Sequence, residues 1–206
     1  VSYVGTAYTF SSESTEEGQL WALGGNNTYG MLGQNNETKY SSPVQIHGGG
    51  SNWLSLSSGP GDIDYHSAAI KGDNTLWVWG RNTDGALGLN QASALKLSSP
   101  TQVPGSWSAV ATGNYRTLAT KTDGTLWSWG DDANGNLGLN DNVKRSSPTQ
   151  IPGTTWNTDK NSLAIGYRNG GAIKTDGTLW VWGDNDQTQL CNGNRANRSS
   201  PIQIPG

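Results

Sequence analysis

One short pattern, Leu-Trp-x-Trp-Gly, recurs along the chain and limits the folds open to it. Its copies are Leu126-Trp127-Ser128-Trp129-Gly130, Leu76-Trp77-Val78-Trp79-Gly80, Leu179-Trp180-Val181-Trp182-Gly183 and the altered Leu20-Trp21-Ala22-Leu23-Gly24. Two tryptophans spaced by two residues fall on one face of a strand, and the residues between them fall on the other. The pairs begin at 20, 76, 126 and 179, at intervals of 56, 50 and 53 residues. A second marker, Ser-Ser-Pro, ends at Pro43, Pro100, Pro148 and Pro201, at intervals of 57, 48 and 53. A third is a lone Trp shortly after a Gly, at Trp53, Trp107 and Trp156. Three independent markers sharing a period of about fifty residues describe a repeat protein, and short strands at that period are the mark of a propeller blade.

Composition agrees. Only 33% of the 206 residues are hydrophobic and 14% charged, with 29 Gly and a net charge of −3. Low charge and ten Trp argue against disorder. Burying one Trp removes ~150–250 Å² from water, gross stabilisation of roughly 4–6 kcal/mol before entropy is counted. A core of a few large rings, Trp21, Trp53, Trp77, Trp79, Trp107, Trp127, Trp129, Trp156, Trp180 and Trp182, is therefore expected. No apolar run approaches eighteen residues, so no helical membrane span is expected. The start, Val1-Ser2-Tyr3-Val4-Gly5, shows neither a signal peptide nor an initiator Met, as expected of a processed or trimmed chain or of part of a longer one. A single Cys191 excludes an internal disulfide framework and a Cys-based zinc site. Mild acidity argues against a nucleic-acid partner.

One unit reads from Gly105 to Gly153. Ser106–Gly113 alternates as a first strand and Tyr115–Lys121 is a second. Thr122-Asp123-Gly124-Thr125 is a hairpin turn, read as the kind that needs two positive φ values. Leu126–Gly130 is a third strand, and Gly135, Leu137, Gly138 and Asn140 mark a tight loop. Ser147–Ile151 is a fourth strand, at a sheet edge because Pro148 cannot donate to a ladder. The repeats run approximately 1–48, 49–105, 106–153 and 154–206, a single domain with almost no helix. The first unit is atypical, with its turn at Glu16-Glu17-Gly18-Gln19 and its opening strand reduced to Ser2-Tyr3-Val4-Gly5. The second has an insertion around Gly59-Pro60-Gly61-Asp62. The fourth has Thr188 and Cys191 where its neighbours have Gly85 and Gly88, and Gly135 and Gly138. Four blades close on themselves, form an arc of a larger ring, or pack against another subunit.

At these residues the chain resembles the RCC1 (regulator of chromosome condensation) repeat family. The matching segments are Thr122-Asp123-Gly124, Leu126-Trp127-Ser128-Trp129-Gly130, Gly135-Asn136-Leu137-Gly138 and Pro148-Thr149-Gln150-Ile151, with His66 at the family's His position and Arg116 and Asn169 replacing it later. The resemblance implies an all-β propeller of four-stranded antiparallel blades, usually seven per ring, so four units fall short. Family members act as nucleotide-exchange factors, as protein inhibitors of enzymes, and as repeats in bacterial and phage surface proteins. No stretch matches the residues on which exchange depends. The Gly-, Asn- and Trp-rich flavour resembles the bacterial and phage branch.

Catalytic motifs are absent. Gly80–Gly85 lacks the Lys and Ser or Thr of a phosphate loop, having Ala86-Leu87 instead. Asp132-Ala133-Asn134-Gly135-Asn136 opens like a calcium loop but lacks the closing Glu, with Val143 in its place, and Asp184-Asn185-Asp186 is no closer. His47 and His66 have no partners that would make a triad or metal site. The Asn-x-Ser/Thr triplets at Asn26, Asn36 and Asn197 are as frequent as chance allows in so Asn- and Thr-rich a chain. A non-enzymatic role without cofactor or metal is therefore expected.

The expected function is a binding or structural module on a virion or bacterial surface, extracellular, that presents propeller loops to a protein, a glycan or other subunits. The alternative is a soluble propeller that inhibits one partner protein or regulates it in the manner of a guanine-nucleotide exchange factor; a cytoplasmic setting goes with it. Candidate binding residues are the aromatic–basic pairs Tyr65-His66, Tyr115-Arg116 and Tyr167-Arg168, which would form a rim if the second strands line the ring. On that reading Arg116→Ala leaves melting unchanged, whereas Trp127→Ala unfolds its blade.

Overall fold

The structure is a computed structural model that describes residues 7–11, 18–24, 27–47, 51–58 and 66–205. It is all-β. Four antiparallel sheets follow one another along the chain as blades. Blade 1 comprises β1 (Ala7–Ser11), β2 (Gln19–Gly24) and β3 (Tyr40–Gln45). Blade 2 comprises β4 (Trp53–Ser58), β5 (His66–Lys71), β6 (Leu76–Arg81) and β7 (Lys96–Val103). Blade 3 is β8 (Trp107–Gly113), β9 (Arg116–Lys121), β10 (Leu126–Gly130) and β11 (Arg145–Ile151). Blade 4 is β12 (Leu163–Ile165), β13 (Asn169–Ile173), β14 (Leu179–Gly183) and β15 (Arg198–Gln203). Among the described residues a single 3-10 turn, at Thr83–Gly85, interrupts the pattern. The segment Ser2–Gly5, the turn residues Glu16 and Glu17 and the insertion at 59–62 lie outside the described residues.

Strand order within a blade is sequential. The Ser-Ser-Pro strands β7, β11 and β15 sit at a sheet edge, where a missing proline N–H costs no ladder bond. At the opposite edge the first strands β4, β8 and β12 pack against one another from blade to blade. The first strands, not the second, therefore face the inside of the curve. This corrects the placement on which the aromatic–basic rim depended.

Alternation divides each blade into two unlike faces. Trp53 and Trp79 of blade 2 pack on Leu20, Ala22, Leu32 and Ile46 of blade 1. Trp107 and Trp129 of blade 3 pack on Ala68, Ile70, Leu76, Val78 and Val103 of blade 2. Trp156 and Trp182 of blade 4 pack on Leu118, Leu126 and Ile151 of blade 3. Indoles thus always meet aliphatics across a seam, and no single sheet holds a core of its own.

The two tryptophans of each pair share a face but not a fate. Trp79, Trp129 and Trp182 are at most 1% exposed, whereas Trp21, Trp77, Trp127 and Trp180 are half-buried. In blades 2 and 3 the lone Trp stands edge-on to both rings of the pair, Trp107 lying 6.3 Å from Trp127 and 5.8 Å from Trp129, and in blade 4 Trp156 stands edge-on to Trp180. The open side of three of these half-buried rings carries a lysine, with Lys71, Lys121 and Lys174 ammoniums 4.5, 3.8 and 4.1 Å from the centroids of Trp77, Trp127 and Trp180.

The turns differ from the sequence reading in one respect. At Thr122–Thr125 only Gly124 has positive φ (78°), and its N–H closes onto the Lys121 carbonyl at 3.0 Å. The hairpin with two successive positive φ values is Asn114-Tyr115 (39° and 63°), between β8 and β9. Sequence pattern missed it because neither residue is Gly.

Candidate interaction face

Two sets of loops share one end of the blades: the links between first and second strands, and those between third and fourth. In blade 3 they are tied together where Asp131 N–H donates to the Tyr115 carbonyl (3.0 Å), and in blade 4 where Asp184 N–H donates to that of Arg168 (2.9 Å). This end carries Asp84, Asp131, Lys144, Arg168 and Asp184, with Lys144 bridging Asp84 of blade 2 (2.8 Å) and Asp131 (3.1 Å). The opposite end carries the Asp73, Asp123 and Asp176 turns, whose carboxyls accept from Thr75, Thr125 and Thr178 and are held below the usual aspartate range by those bonds.

The six sequence candidates are distributed unevenly. Tyr65 lies outside the described residues. His66 is buried, its Nε2 3.0 Å from Thr117 Oγ1 of the next blade, and burial pushes it down to about pH 4, so the ring is neutral. Arg116 is 2% exposed. Its Nη2 donates to the carbonyls of Gly166 (2.9 Å) and Tyr167 (3.0 Å), and its Nη1 to that of Asn136 (3.3 Å). Tyr115 is half-buried. Tyr167 is 60% exposed, and the exposed Arg168 lies 5.2 Å from its ring and 4.0 Å from Asp184. The structure thus brings Tyr115, Tyr167 and Arg168 to one end, and places His66 and Arg116 in the seams behind it. With Arg116 holding three carbonyls, the expectation that Arg116→Ala leaves melting unchanged does not stand.

A residue that sequence reasoning passed over completes this arrangement. Asn114 Nδ2 donates to the Tyr167 carbonyl at 2.7 Å, so the 166–168 loop of blade 4 hangs from two side chains of blade 3. Nothing in the repeat marks Asn114; only a non-glycine two-residue hairpin could have drawn attention to it.

The seams carry a second repeated device. The second Trp of each blade donates its indole N–H into the Gly-x-Leu-Gly loop of the preceding one: Trp79 to Met31 O (2.8 Å), Trp129 to Ala86 O (2.8 Å) and Trp182 to Asn136 O (3.0 Å). The loop glycines have positive φ and no room for a side chain. A Cβ on Gly88 would come within 2.7 Å of the Trp129 ring, and one on Gly85 within 2.5 Å of Ser146 Cα. Asp132 and Asp184 serve turns here: Asp132 Oδ1 accepts the Leu137 N–H (2.9 Å) and Asp184 Oδ1 that of Asp186 (3.1 Å). Among the described residues no three His, Cys, Asp or Glu side chains gather as metal ligands.

Comparison with known proteins decides the family. The regulator of chromosome condensation (RCC1) repeat model matches residues 73–120, 123–162 and 176–206, more than half of the chain, and a second RCC1 model matches 107–136. The chain belongs to the RCC1 repeat family. An RCC1-type relative, the human X-linked retinitis pigmentosa GTPase regulator, is 34% identical over 145 residues, which is 68% of this chain and 14% of the relative. The dog counterpart is 33% identical over the same shares. Two solved structures share the fold. Human WBSCR16 has a TM-score of 0.75 at 20% identity, over 91% of this chain and 48% of that one. Prp20p from Saccharomyces cerevisiae, described with its binding to Gsp1p and histones, has a TM-score of 0.74 at 19% identity, over 100% and 52%. The four RCC1 blades thus match about half of each of these chains. These relatives are eukaryotic, and the bacterial and phage flavour read from composition finds no support among them.

Proposed function

We propose that this RCC1 arc is a non-catalytic protein-binding module that regulates a GTPase-class partner, docked on the end that carries Tyr115, Tyr167 and Arg168. The carrying observation is the 166–168 loop. It offers an exposed Tyr with an Arg against its ring, and Arg116 and Asn114 hold it from the neighbouring blade. A rigid aromatic–guanidinium pair loses little entropy on docking and is the kind of contact that dominates protein interfaces. The class of partner is supported by the relatives: one bears the name of a GTPase regulator, and the other was solved in connection with its binding to Gsp1p and histones. A virion setting or a glycan ligand draws no support from them.

The test is binding of the full chain to a panel of small GTPases in GDP, GTP and nucleotide-free forms. Expected is one form bound selectively, with Tyr167→Ala and Arg168→Ala each weakening it by about tenfold or more, and Asp176→Ala at the opposite end leaving it unchanged. Binding that survives both loop variants removes the assigned face. A chain that captures no GTPase but binds a glycan array returns the surface-module reading.

A further inference from the structure

Four fully buried side chains occupy one equivalent step, just after the third strand of each blade: Asn27, Asn82, Asp132 and Asn185. Each uses Oδ1 to accept the N–H of the loop leucine five residues on, at 3.0, 3.0, 2.9 and 2.9 Å. The three asparagines then use Nδ2 to hold the far side of the same loop. Asn27 donates to the carbonyls of Asn36 (3.1 Å) and Thr38 (2.8 Å), Asn82 to those of Gln91 (3.2 Å) and Ala92 (2.9 Å), and Asn185 to those of Asn194 (2.7 Å) and Ala196 (3.3 Å). Blade 3 has a carboxyl at this step. An ionised Asp132 has only acceptors to offer, and its buried Oδ2 meets no donor.

A second acid interacts with that group. Asp141 meets the Asp132 carboxyl side chain to side chain, while its own carboxylate accepts from the Val143 N–H (3.0 Å) and from Arg145 Nη2 (2.6 Å). Two interacting carboxyls, one of them fully buried, do not both stay ionised. Asp141 is half-buried and paired with Arg145, so the charge settles there.

We propose that Asp132 carries a proton on Oδ2 and donates it to the Asp141 carboxylate, replacing the amide N–H of the other three blades, so that losing this proton loosens the 131–145 loop. Burial pushes the Asp132 carboxyl up to about 7, with Asp141 and Asp131 adding to the shift and the Leu137 N–H and Arg145 opposing it. The other charges facing the loop are Lys144 and, from blade 2, Asp84. The loop matters beyond itself. Its Asn136 carbonyl receives both Trp182 and Arg116, two of the side chains that tie blade 4 and the 166–168 loop to blade 3. Deprotonation near neutral pH would therefore soften the seam between blades 3 and 4.

The sign follows from linkage. A folded carboxyl titrating near 7 against about 4 in the unfolded chain stabilises the fold at low pH and loses that contribution as pH rises from about 4 to 7. The readout is the melting temperature of full-length Asp132→Asn minus that of the wild type, because the buried neutral His66 bends the raw curve the opposite way. Expected is a difference near zero at about pH 4 that grows to several degrees in favour of Asp132→Asn by about pH 8. In the wild type, the Asp132 carboxyl carbon should titrate by NMR near neutrality, and Asp141→Asn should lower that midpoint. A pH-independent difference, or an Asp132 titration in the ordinary range of about 4, overturns the proposal. So does stabilisation of the wild type, but not of Asp132→Asn, by millimolar calcium at neutral pH, which would put a cation where the proton is placed.

Discussion

Trp129 donates its indole N–H to the carbonyl of Ala86, 2.8 Å away across the seam between blades 2 and 3, and both residues are fully buried. The same bond joins Trp79 to Met31 and Trp182 to Asn136. A ring that fills the seam and a hydrogen bond that fixes its depth are two separable contributions. Trp129→Phe keeps most of the ring but removes one of the two donors to the Ala86 carbonyl, which keeps the Thr117 hydroxyl at 2.8 Å, at a cost of about 0.5–1.5 kcal/mol. Trp129→Ala also opens a cavity and should cost about 3–5 kcal/mol. Urea denaturation distinguishes them. Trp127→Ala, at a half-buried ring capped by Lys121, should cost less than Trp129→Ala. Equal losses at 127 and 129 would refute the division of labour within the pair.

The loop that receives the indole imposes its own rule, and its fourth copy breaks it. Gly85 has φ +85° and a Cβ there would meet the Ser146 backbone, so Gly85→Ala should destabilise by roughly 2 kcal/mol or more. Thr188 occupies the same step in blade 4 with φ +61°, a conformation β-branched residues adopt only under strain. Thr188→Gly should stabilise by up to about 1 kcal/mol. Opposite signs at equivalent positions, read from denaturation midpoints, are the expected outcome.

His66 gives a pH dependence of known direction. Its folded titration near 4 lies below the ordinary histidine value of about 6.5. The unfolded chain thus binds the proton first, and stability present above about 6.5 falls as pH drops towards 4. His66→Gln, which can still reach Thr117, should lose this acid sensitivity, so that the variant gains on the wild type between about pH 6.5 and about pH 4. A variant whose melting curve tracks the wild type at every pH would mean that His66 titrates normally.

The fold was legible because its physics repeats. Leu126-Trp127-Ser128-Trp129 declares two faces, Pro148 declares an edge, and Gly135 and Gly138 declare a tight loop; each returns at a fixed interval. The face was less legible for a physical reason. Whether Arg116 lies in water or in a seam depends on which strand turns inward, and alternation along one strand carries no information on that. Tyr167 and Arg116 look alike in sequence, aromatic or basic beside the second strand, yet one is 60% exposed and the other 2%. Asp132 was visible only as a loop acid. Its meaning came from three asparagines at the same step, together with a buried oxygen that meets no donor.

Arg116 links architecture to face, and its substitution should show both. Its guanidinium gathers the carbonyls of Asn136, Gly166 and Tyr167, and no neutral aliphatic residue can satisfy them. Arg116→Met preserves much of the apolar stem but removes these donors, leaving Asn136 to Trp182 alone, Tyr167 to Asn114 alone and the Gly166 carbonyl without its side-chain partner, and should cost about 1–3 kcal/mol. Tyr167→Ala removes an exposed ring and should leave stability within about 0.5 kcal/mol. The distinguishing measurement is amide hydrogen exchange of residues 166–169. Arg116→Met should accelerate it well beyond the global loss of stability, because Asn114 is then the one side chain of blade 3 with a hydrogen bond to the loop among the described residues. Tyr167→Ala should not. If Arg116→Met melts like the wild type with unchanged exchange at 166–169, the guanidinium is not what positions this loop, and Tyr167 and Arg168 would present themselves without help from blade 3.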